Sequence, residues 1–129
     1  MPIVELVAQK IIERNPDIDL EITDLIVLLW MFSSPYENNR RQLSSMKNIL
    51  RMSQSLQNPM GKLDLTDDEL TQLVLSSLEK LKKRKLVYIR SSGHIFVKGT
   101  LTEKGSELIM QSVRTPLLRR LTAEFGDNP

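Results

Sequence analysis

Residues 63–108 read LDLTDDELTQLVLSSLEKLKKRKLVYIRSSGHIFVKGTLTEKGSEL. Thr66 and Glu69 stand at the T-x-x-E spacing of a capping box. In such a box the Thr hydroxyl accepts from the Glu69 amide, and the Glu carboxylate accepts from the Thr66 amide. Asp67 and Asp68 fall in the first turn, where negative charge complements the helix dipole. Leu70, Val74, Leu78 and Leu81 recur every three or four residues, so one face is apolar. Lys82, Lys83, Arg84 and Lys85 occupy the last turn, where cations are favoured. The pattern predicts a helix from Asp67 to Arg84, roughly 27 Å long. Leu86 to Arg90 and His94 to Lys98 are rich in β-branched and aromatic residues. They flank Ser91-Ser92-Gly93, which predicts a hairpin. Thr102 then caps a further helix that carries Leu108, Ile109 and Val113 on one side.

Two segments within this stretch resemble parts of a known family. Leu78-Glu79-Lys80-Leu81-Lys82-Lys83-Arg84-Lys85-Leu86-Val87 looks like the end of a recognition helix entering the first strand of a wing. Leu101-Thr102-Glu103-Lys104-Gly105-Ser106-Glu107-Leu108 looks like the segment that follows a wing. Both resemble MarR-like and PadR-like winged helix-turn-helix transcription regulators, and together they are far more specific than either alone. Lys85 stands where the family commonly has the Gly that serves a helix-to-strand corner without strain. The resemblance implies a mainly α protein with a small β-hairpin wing, an α+β winged helix of about six helices. It also implies duplex DNA as the partner and a homodimer.

Composition is consistent with this. The chain has 129 residues, 40% apolar and 26% charged, which suits one soluble domain with a core. It has no cysteine, which removes disulfides and thiolate metal sites. Its first residues lack a basic segment followed by an apolar run, so no secretory leader is expected. The longest apolar run, Leu25 to Phe32, is far shorter than the ~20 residues of a membrane helix, and a cytoplasmic protein is expected. Net charge is only +2, but residues 1–36 sum to −4 and residues 37–129 to +6. Lys80 to Lys104 holds eight bases and one acid. A basic lobe beside an acidic one suggests that one part alone meets a polyanion. A lysine-rich solvated surface gives the same numbers.

The rest of the chain reads as helices. Ile3, Val4, Val7, Ile11 and Ile12 form an apolar stripe on a helix from Ile3 to Arg14, ended by Asn15-Pro16. In the resembling families the first helix often belongs to the dimer interface; packing within the protomer would need the same stripe. Leu20 to Ser33 is the most hydrophobic segment, apolar without a break from Leu25 to Phe32, and suits a central core helix. Composition alone allows a strand there, but length and the Asp19/Thr23/Asp24 start favour a helix. Trp30 fits the core or the lining of a ligand pocket. Ser33-Ser34-Pro35 breaks the helix, and Glu37 to Gln57 suits one long amphipathic helix or two shorter ones. Thr115 and Pro116 start a last helix carrying Leu117, Leu118, Leu121 and Phe125. The whole of 1–129 is thus expected to be a single winged-helix domain. Segments 1–33 and 102–125 would be flanking core or dimerisation helices, and 37–100 the DNA-binding lobe.

Catalytic chemistry is not expected. His94 is the one histidine, placed at the hairpin tip with no second His or Cys to share a metal. Asp67 and Asp68 are adjacent and point about 100° apart on a helix. There is no Gly-rich phosphate loop, and no cofactor is implied. DNA binding does have residues to carry it. Opposite the apolar face of the 67–84 helix lie Asp68, Thr71, Gln72, Leu75, Ser76 and Glu79. Thr71, Gln72 and Ser76 are the candidate base readers, with Leu75 beside them, since Gln can pair with adenine in a bidentate way. Arg90, His94 and Lys98 on the wing are candidates for phosphates or the minor groove. Arg40, Arg41 and Lys47 are candidates for further backbone contacts. The carboxylates of Asp67, Asp68 and Glu79 work against a polyanion on this surface. The rival class keeps the same fold and uses the wing or the first helix to bind a protein. The residues specify no operator and no small-molecule effector.

Overall fold

The computed structural model describes residues 3–32, 66–93 and 95–125. Among them are five α-helices and one two-stranded antiparallel sheet. Their order is α1 (Ile3–Arg14), α2 (Ile22–Phe32), α3 (Asp67–Lys83), β1 (Val87–Ser92), β2 (Ile95–Leu101), α4 (Glu103–Ser112) and α5 (Thr115–Phe125). The expected mainly helical α+β class and the hairpin are present. The expected helix over 37–57 lies outside the described residues, so the helix count stands at five among those described.

Every residue of α2 from Asp24 to Phe32 is buried. A helix apolar without a break from Leu25 to Phe32 has no face for water along that run, so other elements must enclose it. Helices α1, α3 and α4 and strand β2 all pack on it. Helix α1 brings Val4, Val7, Ala8 and Ile11, an i, i+3, i+4, i+7 stripe. Helix α3 brings Val74, Leu78 and Leu81, and Leu121 of α5 joins the same core. Trp30 belongs to this core. Helix α1 ends as Asn15 donates from Nδ2 to the Ile11 carbonyl (2.8 Å) and to Ser112 Oγ on α4 (3.0 Å).

One buried acid joins α2 to α3. Asp24 accepts from the Glu21 amide at 3.0 Å, which satisfies a donor at the start of α2. The same carboxylate lies 3.5 Å from Lys80 Nζ, with its side chain only 3% exposed. Four residues on, Arg84 Nη2 donates to the Asp19 carbonyl (2.9 Å) and carboxylate (3.1 Å). Asp19 has φ 53, a left-handed value that Asp tolerates better than most residues.

Helix α3 ends in a Schellman motif. The Lys85 amide donates to the Lys82 carbonyl and the Leu86 amide to the Leu81 carbonyl. The residue between must be left-handed, and Lys85 has φ 62. Leu81 and Leu86, the apolar pair that accompanies the motif, are both buried. The corner is then held from outside by Thr102. Its amide donates to the Leu86 carbonyl (3.1 Å), and its hydroxyl donates to the Lys85 carbonyl (2.8 Å). That hydroxyl also accepts from the Gly105 amide (3.0 Å) as the cap of α4. Gly105 is buried so close to the corner that a Cβ there would collide with the Leu86 carbonyl oxygen and lie 2.9 Å from Leu101 Cδ1.

Two substitutions at this corner should move stability in opposite directions. Lys85→Gly relieves a left-handed backbone worth ~1–2 kcal/mol, less ~0.5–1 kcal/mol of glycine chain entropy, and should raise the melting temperature slightly. Gly105→Ala gains helix propensity of about 1 kcal/mol, but the collision with a backbone oxygen should outweigh it and destabilise by ~1–3 kcal/mol. Urea unfolding of both variants checks the signs. A Gly105→Ala variant as stable as the parent would remove the close approach as a constraint.

Candidate nucleic-acid interface

The capping box forms as the spacing predicts. Glu69 N donates to Thr66 Oγ1 (3.2 Å), and Thr66 N donates to Glu69 Oε1 (3.1 Å). The bond from the Thr66 amide, followed by the one from its side chain, holds the Glu69 carboxyl below the ordinary glutamate range. Leu70, Val74, Leu78 and Leu81 are buried, as the periodicity predicts. The opposite side of α3 is therefore outward.

Gln72 and Ser76 on that side are exposed, with Asp68 and Glu79 above and below them. Thr71 is half-buried, and its hydroxyl donates to the Asp67 carbonyl at 2.8 Å within the same helix. Its O–H is thus engaged, which leaves Gln72 and Ser76 as the freer polar groups. Leu75 is half-buried and packed against the core, so it is a packing residue as much as a surface one. Strand β1 runs beside α3. Between them lies an open groove of about 410 Å³ lined by Gln72, Leu75, Ser76, Glu79, Ile89 and Ser91, among others. The outward face of α3 and the ribbon thus share a groove.

On the ribbon, Arg90 and Lys98 are both exposed and stand directly opposite each other across the two strands. Like charges in that position repel, so the pair is not there for ribbon stability. Tyr88, two residues before Arg90, is also exposed. The sequence reading passed over Tyr88, although strand alternation from Arg90 points to it. Ser91 was likewise missed as a groove residue. His94, Arg40, Arg41 and Lys47 lie outside the described residues.

The basic run is partly used inside the protein. Lys80 and Arg84 are paired with Asp24 and Asp19 of the acidic first segment. The acidic first segment and the basic run therefore meet where α2 and its approach pack on α3. Lys82, Lys83 and Lys85 remain exposed at the end of α3. A second, larger cleft of about 690 Å³ lies between the α1–α2 connection, the end of α3 and α4. Its lining sets Arg14, Lys83, Arg84 and Lys104 against Asp17 and Glu107, and Arg84 is already paired with Asp19. Among the described residues no group of three or more His, Asp or Glu could hold a metal ion, and no helix is long and apolar enough to cross a membrane.

The chain matches no protein-family model, no curated protein and no solved structure.

The capping box makes the start of α3 sensitive to acid. Because the Glu69 carboxyl is depressed in the folded state, its contribution is present above its unfolded value and is lost as pH falls through the folded one. Glu69→Gln keeps an acceptor but cannot titrate. Stability measured by urea unfolding should fall less on acidification in this variant than in the parent. Identical acid dependence would show that the box does not contribute.

Proposed function

We propose that the protein is a DNA-binding transcription regulator of the winged-helix type, MarR-like or PadR-like, acting in the cytoplasm as a homodimer on duplex DNA. The observation that carries this reading is the pairing of helix and ribbon: the exposed Gln72 and Ser76 of α3 share a groove with Ile89 and Ser91 of β1, and Arg90 and Lys98 face solvent on the ribbon's other side. Helix α3 would enter the major groove and present Gln72 and Ser76 to base edges, with Thr71 and Leu75 beside them. The ribbon would act as the wing and hold phosphates through Arg90 and Lys98. His94 at its tip, and Arg40, Arg41 and Lys47, would add contacts. Dimerisation through the terminal helices is supported by Leu6 of α1 and Met110 of α4, both exposed apolar side chains. Twofold symmetry would set two copies of α3 roughly 34 Å apart, one turn of DNA.

A second reading is a winged-helix module that binds a protein and not DNA. One observation favours it. Asp67, Asp68, Glu69 and Glu79 are all exposed on α3, and its bases are confined to the last turn and just beyond.

Fluorescence anisotropy on duplex DNA across a salt series separates the two. A regulator should lose affinity steeply with salt, by about one unit of log–log slope per phosphate contact. Arg90→Ala should weaken binding to every sequence, whereas Gln72→Ala should narrow the gap between preferred and random duplexes. No binding even at low salt would leave the protein-binding module as the surviving reading. Light scattering checks the dimer, and a strict monomer at high concentration would remove the half-site geometry.

A further inference from the structure

We infer that Tyr88 joins Arg90 and Lys98 in one phosphate-binding strip, so that the ribbon meets the DNA backbone with its outward face. This rests on the nucleic-acid reading above and deepens it. Tyr88 and Arg90 are two residues apart on β1, so their side chains leave the same side of the ribbon. Ile89 between them turns inward and packs against the core. Across the ladder, Lys98 is opposite Arg90 and Thr100 is opposite Tyr88. Tyr88 is 59% exposed.

Two features of the strip are unfavourable in the isolated protein. The cations repel each other, and among the described residues neither is in an ion pair, since the acids of α2 and its approach take Lys80 and Arg84 instead. Lysine and arginine on a short exposed ribbon do guard its edges against pairing with another chain. That duty needs no aromatic, and an exposed tyrosine adds apolar area at the very place such charges protect. A phosphate backbone accounts for all three residues. The cations neutralise its charge, the Tyr88 O–H donates to a phosphate oxygen, and the ring lies against the sugar. The register shift between Arg90 and Ser91 then bends and twists the ribbon just past the strip. Contacts of this kind set position and carry no sequence information.

Anisotropy on a labelled random-sequence duplex of about 20 base pairs tests the strip, with circular dichroism to confirm folding. Arg90→Ala and Lys98→Ala should each lower the log–log salt slope by about one. Lys82→Ala removes the same charge from the exposed end of α3 and should leave the slope unchanged. Tyr88→Phe removes only the hydroxyl. It should weaken binding by roughly two- to tenfold, the worth of one hydrogen bond, with no change in slope. Parent-like binding by Tyr88→Phe, alongside a lowered slope for Arg90→Ala, would remove Tyr88 and leave the wider reading standing. An equal drop in slope for Lys82→Ala would replace the strip with bulk charge. Absence of binding by the parent at low salt would sink the nucleic-acid reading, and the strip with it.

Discussion

The corner between α3 and β1 is the constraint on which the arrangement depends. Lys85 adopts a left-handed backbone there, at a cost that glycine would avoid. The cost is offset locally by the two Schellman bonds and by burial of Leu81 and Leu86. Thr102 then ties both corner carbonyls to the start of α4, and Gly105 lets that helix approach closely enough to do so. Helix α3, the ribbon and α4 are thereby held at one point. The relative placement of the outward face of α3 and the ribbon is set from the core side.

Electrostatics follow a similar division. A basic run at a helix end is favourable for the dipole alone. In this protein the run also supplies Lys80 and Arg84 to the acids that precede and open α2. Asp24 serves both sides, accepting from the Glu21 amide and facing Lys80. Buried polar groups persist when they are bonded in this way. The charge left for a partner is therefore smaller than the sequence total, and its best-placed portion is the pair on the ribbon. That pair is repulsive in isolation, which is why a polyanion is the partner that would relieve it.

The groove between α3 and β1 is lined by both polar and apolar side chains. Its polar groups are an amide, a carboxylate and two hydroxyls, contributed by Gln72, Glu79, Ser76 and Ser91. The proposed division of labour assigns reading to α3 and positioning to the ribbon. Glu79 on the groove wall works against phosphates and confines any backbone contact to the ribbon side.

Local spacing made much of this legible before any coordinates. The capping box at Thr66 and Glu69, the bounds of α1, the enclosure of α2 and the hairpin after α3 all rest on neighbours a few residues apart. Helical and strand periods express such relations directly. The corner at Lys85 was marked only by the resemblance, through the Gly the family carries there; the left-handed backbone that Lys85 adopts came with the structure. What only the tertiary structure decided involves residues far apart in the chain. Asp24 meets Lys80 and Asp19 meets Arg84 because α2 and α3 pack together. Leu75 is half-covered because core neighbours close over it. The opposition of Arg90 and Lys98, and with it the company that Tyr88 keeps, depends on the register of the ladder. A period specifies which way a side chain leaves its own element; only packing specifies what it meets.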